Sequence, residues 1–599
     1  MILTLVHSAS LTNIFSAATV AGIKAAVWLV GLWYAAKIFS HDANLSPAGR
    51  MRDCVILGVA IPFSLAMTHT LIVPVCVTSL IALCLIRSKL APPTFRPSKA
   101  AASTAVRVAR ALPTIGAFAV MWPAMVRPLL QGDSLGYHLP NAASWSQQHS
   151  FWITNTSYWW YPGGSELFAC GVYTVAGPLT IGLSGGIILV LLGQRLFEFA
   201  LQEGVKPLVS GALSCMAVTT SVVAMQAANL QNDVWLAAFT VEIMWCIRFE
   251  RAALWRTSAI CSIIKVYGCI ITIVCLLFAK TRLLVVLVAI FPIVVWIARD
   301  VILSHTALIS ATYTSYPHLE QTTIAFQGRA GIRVLVDTIA KQDTGFLILI
   351  VSTFATIVAR RNNVMRLTTA FLVILFLVLP YGFRNDIPQL ATGQSLRFLL
   401  PGLMVGFVAA FPMLSRRSNV VAAIAFGIAA VQVFNVEQIF KNDATTHNVF
   451  IVICIVSIVL VLSRGEIGRS ATALVAASLI TYAARLSGTH PTAYYGDLLA
   501  KRGKPSTLFH WLETSAVQRL VAWRLRSGSI NVLIPGVTVF DVNGADPCHE
   551  ARELGAILLI SDDPASSSLE LDSRRRAGRQ CGLIMFDDGT SLLVRPRDT

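Results

Sequence analysis

The sequence predicts an all-α polytopic membrane protein over residues 1–486, followed by a small α/β domain over residues 487–599. Three observations lead there. Hydrophobic residues make up 55% of the 599-residue chain and charged residues only 13%, about half the charge of an ordinary soluble domain. The mean hydropathy is +0.68, and the apolar residues are gathered into long runs instead of being spaced along one helix face. Near residue 487 the long runs stop and short apolar stretches between polar turns take over.

The net charge of +17 does not point to nucleic acid. The basic residues sit in short clusters between apolar runs, at 87–110, 248–256, 360–366 and Arg416-Arg417. Cytoplasmic loops carry charge in this way, whereas a nucleic-acid footprint is a continuous basic face. The expected partner is therefore a lipid bilayer, with no nucleic acid. The first residues lack the basic start and small-residue cleavage site of a secretory signal, so no processing is expected. Ten of the 12 cysteines lie in or beside apolar runs, where Cys behaves as a small hydrophobe, and no pair has metal-ligand spacing.

A spanning helix needs about 20 apolar residues. Candidate runs fall at 14–38, 53–69, 70–87, 110–128, 165–199, 207–225, 233–249, 258–278 and 283–303, then at 345–360, 367–381, 396–414, 418–435, 448–463 and 469–486. The loop holding Arg87, Lys89, Arg96, Lys99, Arg107 and Arg110 is assigned to the cytoplasm by its charge, so the next helix delivers Asp133 to the outside. With 165–199 taken as one crossing, Asp233 is outside too. Counting back from Arg416-Arg417 and 464–469 puts loop 382–395 and the C-terminal part outside. The external loops are thus 129–165, 226–233, 304–344 and 382–395. Parity fails between 249 and 345 unless 258–278 or 283–303 dips and returns. Residues 331–340 are amphipathic and suit a helix lying along the interface.

In the C-terminal part, 510–526 reads as a helix, 531–534 and 556–560 as strands, 568–580 as a helix, and 582–586 with 591–594 as a hairpin. An extracytoplasmic α/β domain is expected. Cys548 and Cys581 either pair there, in a compartment that permits disulfides, or stay free, since sequence does not fix their separation.

Polar residues are scarce, so their clusters stand out. Asp133 and Tyr137 share a helix face at i, i+4, with His138 next to them. An external carboxylate there suits proton removal from a hydroxyl, although the residues alone favour a helix cap, a common task for Asp. Glu166 and Asp233 are further carboxylates, Asp233 where a helix N-terminus alone favours negative charge. Arg397, Arg384, Lys280 and Arg282 are cations at membrane edges, which are costly and hence candidate phosphate contacts, or else snorkel to headgroups. The set Trp145, Trp152, Tyr158, Trp159, Trp160 and Tyr161 suits sugar stacking or an interfacial aromatic belt. Lys265 lies inside an apolar run and is left unassigned. No nucleotide-binding Gly-rich loop, His-Glu-x-x-His or nucleophile elbow is present.

Three segments in order carry a resemblance. Asp133-Ser-Leu-Gly-Tyr137-His138-Leu-Pro140, with Trp145 and Tyr161-Pro-Gly-Gly-Ser165-Glu166, resembles the first external loop of bacterial polytopic GT-C glycosyltransferases. That superfamily includes protein O-mannosyltransferases and aminoarabinose transferases that use polyprenyl-phosphate sugars. Gln231-Asn232-Asp233 resembles its second external loop, and Gln394-Ser-Leu-Arg397-Phe-Leu-Leu-Pro401 its Arg-aromatic-Leu-Leu-Pro helix entry. The likeness spans residues 110–415. It implies a GT-C-like transmembrane domain in which Asp133 is the general base. Tyr137, His138, Glu166 and Asp233 would serve the sugar or acceptor, and Lys280, Arg282, Arg384 and Arg397 the lipid phosphate. Ser134 stands where many relatives have a second acidic residue. No cofactor is assigned, and a divalent metal is left as an alternative. The implied partners are a polyprenyl-phosphate-linked sugar and a glycan, lipid or protein acceptor. A transporter or flippase, or a non-catalytic binding subunit, for lipid-linked sugars is the rival reading.

Overall fold

The structure is a computed structural model that describes residues 20–39, 46–90, 104–126, 134–154, 156, 158–177, 180–304, 323–325, 327–359, 363–378, 395–414, 418–439, 511–512, 515, 517–523, 538–542, 546–561, 568–587 and 591–597. Asp133, Arg384, the runs 448–463 and 469–486, and the expected strand 531–534 lie outside these described residues.

The first part is a helical bundle. Its helices are α1 (Val20–Ala35), α2 (Pro47–Met67), α3 (Val73–Leu90), α4 (Thr104–Val126), α5 (Leu139–Gln147), α6 (Gly164–Ala176), α7 (Leu183–Gln202), α8 (Pro207–Thr219), α9 (Ser221–Ala228) and α10 (Asn232–Phe249). There follow α11 (Leu254–Ile264), α12 (Val266–Phe278), α13 (Leu283–Ser304), α14 (Gly328–Ala340), α15 (Thr344–Val358), α16 (Asn363–Val378), α17 (Leu400–Leu414) and α18 (Ser418–Ile439). Among the described residues four helical stretches are long and apolar enough to span, Thr104–Met121, Leu183–Gln202, Leu283–Ser304 and Leu396–Met413. The pair α8 and α9, bent by 61° at Thr220, makes a fifth if it is one span. One large apolar core joins these helices, while Leu283, Leu284 and Phe291 on α13 and Val351 and Val358 on α15 face outward, as lipid-facing side chains do. The protein is an integral membrane protein.

Two runs that read as single spans are broken. The run 165–199 divides at Gly177, whose φ of +85° is open to glycine and costly to residues with a Cβ. Helix α6 then packs on α2 and α5, and α7 on α4, α8 and α10. The run 258–278 divides at Lys265, which is extended at φ −157° and ψ 157°. Helix α12 folds back along α11 there, so closely that a Cβ on Gly268 would lie 2.4 Å from the Cys261 carbonyl oxygen. This segment is a hairpin with Lys265 at its apex. The amphipathic segment 331–340 is helical, within α14.

Buried ion pairs tie the bundle together at the end away from Lys265. Arg52 holds Glu250 with two bonds of 2.8 and 3.0 Å and Asp53 at 2.9 Å. Arg256 donates twice to Asp53 at 3.1 Å. Arg195 bridges Glu242 and Glu198, each at 2.8 Å, and Glu198 accepts from Ser46 at 2.7 Å. These contacts link α2, α7, α10 and α11.

The C-terminal part is a five-stranded sheet in the order β2-β1-β3-β5-β4, from β1 (Arg519–Trp523), β2 (Thr538–Val542), β3 (Ile557–Ser561), β4 (Gly582–Asp587) and β5 (Ser591–Pro596). β1 runs parallel to β2 and β3, and β5 antiparallel to β3 and β4. Helices α19 (Pro547–Glu553) and α20 (Ser568–Cys581) cover a core of Val521, Leu558, Ile560, Leu592 and Val594. The expected helix over 510–526 is corrected: residues 519–523 form a central strand. Leu520 and Val521 are both fully buried, and a strand buried on both faces shows no alternation to separate it from a helix. Cys548 and Cys581 form a disulfide with Cα atoms 5.6 Å apart, stapling α19 to α20.

Candidate active site

The site is built around the start of α10. Asp233 occupies its first turn and is buried. One carboxylate oxygen accepts from Lys265 Nζ at 2.7 Å and from the Tyr267 hydroxyl at 2.5 Å. The other lies 3.4 Å from Arg397 Nε. Arg397 Nη1 donates to Gln231 Oε1 at 2.8 Å, and Lys265 Nζ stands 4.4 Å from the Phe398 ring centroid. The hairpin apex and the turn into α17 thus converge on one helix N-terminus. Two cations thus meet at one buried carboxylate, and guanidinium and ammonium groups are the usual ligands of phosphate.

A second group lies against the same hairpin. Ser134, which follows Asp133 in sequence, donates to the carbonyl oxygen of Asn229, four residues before Asp233. His138 and Glu166 are both buried and bonded through Nδ1 and Oε1. The other Glu166 oxygen accepts from Ser165 at 2.7 Å. The approach needs the neighbouring glycines: a Cβ on Gly164 would lie 3.1 Å from the Ile263 carbonyl oxygen, at the end of α11, and one on Gly163 2.6 Å from Trp145.

The Tyr137 ring lies against that of His138 with centroids 4.0 Å apart and planes tilted by 38°, and meets Tyr158 at 5.0 Å and Tyr161 at 5.9 Å. These three tyrosines are half-buried, whereas Trp145 and Trp160 are core residues.

Of the residues singled out in the sequence, the structure brings together Tyr137, His138, Glu166, Asp233 and Arg397. Lys280 and Arg282 are not with them. Helix α12 starts at Lys265 and carries the chain away for 13 residues, about 20 Å at 1.5 Å each. Both side chains are exposed at its far end. Lys280 there takes a φ of +51° in the turn that ends α12. The lysine in contact with Asp233, beside Arg397, is Lys265, and Tyr267 joins it. The sequence signal for this pair is a lone ionisable residue within an apolar run, which is costly unless it has a partner.

The two described carboxylates of the site are engaged in hydrogen bonds and ion pairs, Asp233 with Lys265, Tyr267 and Arg397, and Glu166 with His138 and Ser165. Among the described residues no three His, Cys, Asp or Glu side chains gather to hold a metal ion. No step is routed through the divalent metal left as an alternative.

No family model matches the chain, and no curated protein sequence matches it. Among the solved structures with a similar fold are two of one protein. ArnT from Cupriavidus metallidurans bound to undecaprenyl phosphate is 11% identical, with 80% of this chain and 96% of that chain covered and a TM-score of 0.46. The same protein in its apo state is 12% identical over 79% of this chain and 95% of that chain, with a TM-score of 0.44.

Proposed function

We propose that this protein is an integral-membrane glycosyltransferase of the GT-C type that transfers a sugar from a polyprenyl phosphate to an envelope glycan, lipid or protein. The observation that carries the reading is the cluster of Lys265 and Arg397 on buried Asp233, beside the loop that holds Ser134, His138 and Glu166. Every motif behind the sequence resemblance contributes a residue to that region.

The donor phosphate sits at Lys265 and Arg397, where positive charge stabilises the leaving group as negative charge develops on it. Asp133 takes the proton of the acceptor hydroxyl. The acceptor oxygen bonds to the anomeric carbon, the carbon–oxygen bond to phosphate breaks, and polyprenyl phosphate leaves with the electron pair. One displacement inverts the anomeric centre. The site end of the bundle and the domain after residue 486 face the outside, as the loop charges imply.

The far-end ion pairs count against the transporter alternative. Alternating access needs packed elements to part on each side in turn, and these buried ion pairs would have to separate for that. Arg52, Arg195 and Arg256 tie four helices together where that parting would occur.

The test uses purified full-length protein in lipid with a panel of radiolabelled polyprenyl-phosphate sugars and crude envelope acceptor. Transfer with inverted product is expected. Donor flipping across proteoliposomes without transfer would overturn the reading in favour of a transporter.

A further inference from the structure

Arg299 lies fully buried near the end of α13, outside every motif the sequence singles out. Its Nε donates to the Phe151 carbonyl at 2.7 Å, and its Nη2 donates to that same carbonyl and to the Ile153 carbonyl at 3.1 Å. Nη1 donates to the Trp159 carbonyl at 2.9 Å and to Asp300 Oδ1 at 2.7 Å. The guanidinium carbon is 5.0 Å from the Phe151 ring, 5.4 Å from the Trp159 ring and 5.3 Å from the Trp296 ring. One turn earlier, Trp296 Nε1 donates to the Trp160 carbonyl at 3.2 Å.

A buried guanidinium spent on three loop carbonyls is an expensive way to hold a loop. What it holds explains the expense. The anchored backbone at Trp159 and Trp160 lies between Tyr158 and Tyr161, and both of those rings contact Tyr137, whose ring lies against that of His138. The far side of the loop is fixed by the Asn141 side chain, which donates to the Tyr158 carbonyl at 3.4 Å and accepts from Thr156 at 2.5 Å.

We infer that Arg299 is a positioning residue: from outside the site it sets loop 150–161 so that Tyr137, Tyr158 and Tyr161 form the face on which the sugar rests. Aromatic rings at fixed angles bind a sugar ring by its apolar face, and they do so only while their backbone is held. Lysine cannot replace arginine here, because a single ammonium lacks the planar fork of donors that reaches carbonyls on both arms of the loop.

The role in sugar binding rests on the glycosyltransferase reading, so the test has one arm that does not. Arg299→Gln, and the double variant Arg299→Gln, Asp300→Asn in case the stranded carboxylate prevents folding, are compared with wild type in lipid by hydrogen exchange and mass spectrometry. Amides of residues 150–161 are expected to exchange at least tenfold faster, with α10 and α13 unchanged. Unchanged loop exchange in a folded variant would overturn the proposal whatever the protein's activity. In the transfer assay the donor KM is expected to rise about tenfold with kcat within threefold, and Arg299→Lys to behave like Arg299→Gln. A faster-exchanging loop with KM unaltered would reduce Arg299 to a structural tie. If wild type itself transfers nothing, the function fails while the exchange arm still decides whether Arg299 holds the loop.

Discussion

Lys265 Nζ donates to Asp233 Oδ1 at 2.7 Å across 32 positions of sequence, from the apex of one helical hairpin to the first turn of the helix before it. Both groups are buried, and Asp233 has Arg397 at 3.4 Å as a second charged partner. Removing Lys265 takes from the buried carboxylate the shorter of its two ion pairs and leaves it to Arg397 and Tyr267, and breaking a buried pair in this way costs up to about 3–5 kcal/mol. Lys265→Met is therefore expected to lower the thermal unfolding midpoint markedly. Lys265→Met with Asp233→Asn should recover much of that stability but no transfer. If the double variant transfers normally, the pair has no part in the reaction.

The two cation groups make a contrast. Arg397 bridges Gln231 and Asp233, a task that uses two guanidinium edges. Arg397→Lys should keep the charge and lose the fork, weakening donor binding about tenfold. Lys280→Gln and Arg282→Gln alter exposed residues at the other end of α12 and should leave transfer within twofold. Lys280→Gly should also stabilise by about 1 kcal/mol, because residues with a Cβ are strained at a φ of +51°. Steady-state kinetics and thermal unfolding of the four variants check this.

Asp133→Asn is expected to reduce kcat by about 10²–10⁴, the usual worth of a positioned base, while donor binding measured by filtration is retained. Loss of donor binding with kcat intact in the residual activity would move Asp133 from base to binding group.

How far the sequence disclosed this site follows from what a polar residue means in an apolar chain. Asp233, His138, Glu166 and Arg397 stand at the ends of apolar runs and are conspicuous there. Lys265 is harder to place. The run 258–278 has the length and composition of one span, and no Gly or Pro marks the break at Lys265. What breaks it is a contact with Asp233, which composition does not show. The same contrast explains Lys280 and Arg282: a cation between two apolar runs reads alike whether it faces a site or ends a hairpin. Arg299 was hidden because its partners are backbone carbonyls, which carry no sequence signature. In the C-terminal domain the β4–β5 hairpin shows through its turn residues, whereas central β1, apolar on both faces, mimics a helix.

The Cys548–Cys581 bridge closes a loop of 33 residues, which by loop-closure entropy stabilises the C-terminal domain by about 3–4 kcal/mol. Reduction should lower that domain's unfolding midpoint and leave the bundle's unchanged, as followed by proteolysis of each part on heating. Disulfides persist in oxidising compartments, so intact cells treated with a membrane-impermeant maleimide should label neither cysteine before reduction and both after it. Labelling only after the cells are opened would put the domain on the cytoplasmic side and overturn the proposed orientation.

At the far end of α10, Arg195 sits between Glu242 and Glu198 with its guanidinium 4.2 Å from the Trp245 ring. Glu242 is nine residues beyond Asp233, about 14 Å along the helix, so this network should contribute stability without touching the reaction. Arg195→Met leaves two buried carboxylates facing each other and should cost about 3–5 kcal/mol. Arg195→Met with Glu242→Leu should restore part of that loss by replacing an ion pair with apolar contact. In an enzyme whose far end stays shut, transfer per folded molecule should be unchanged in the double variant. A protein that works by opening that end should instead change its turnover when the ties are exchanged, so a shift in kcat at constant folded fraction would revive the transporter.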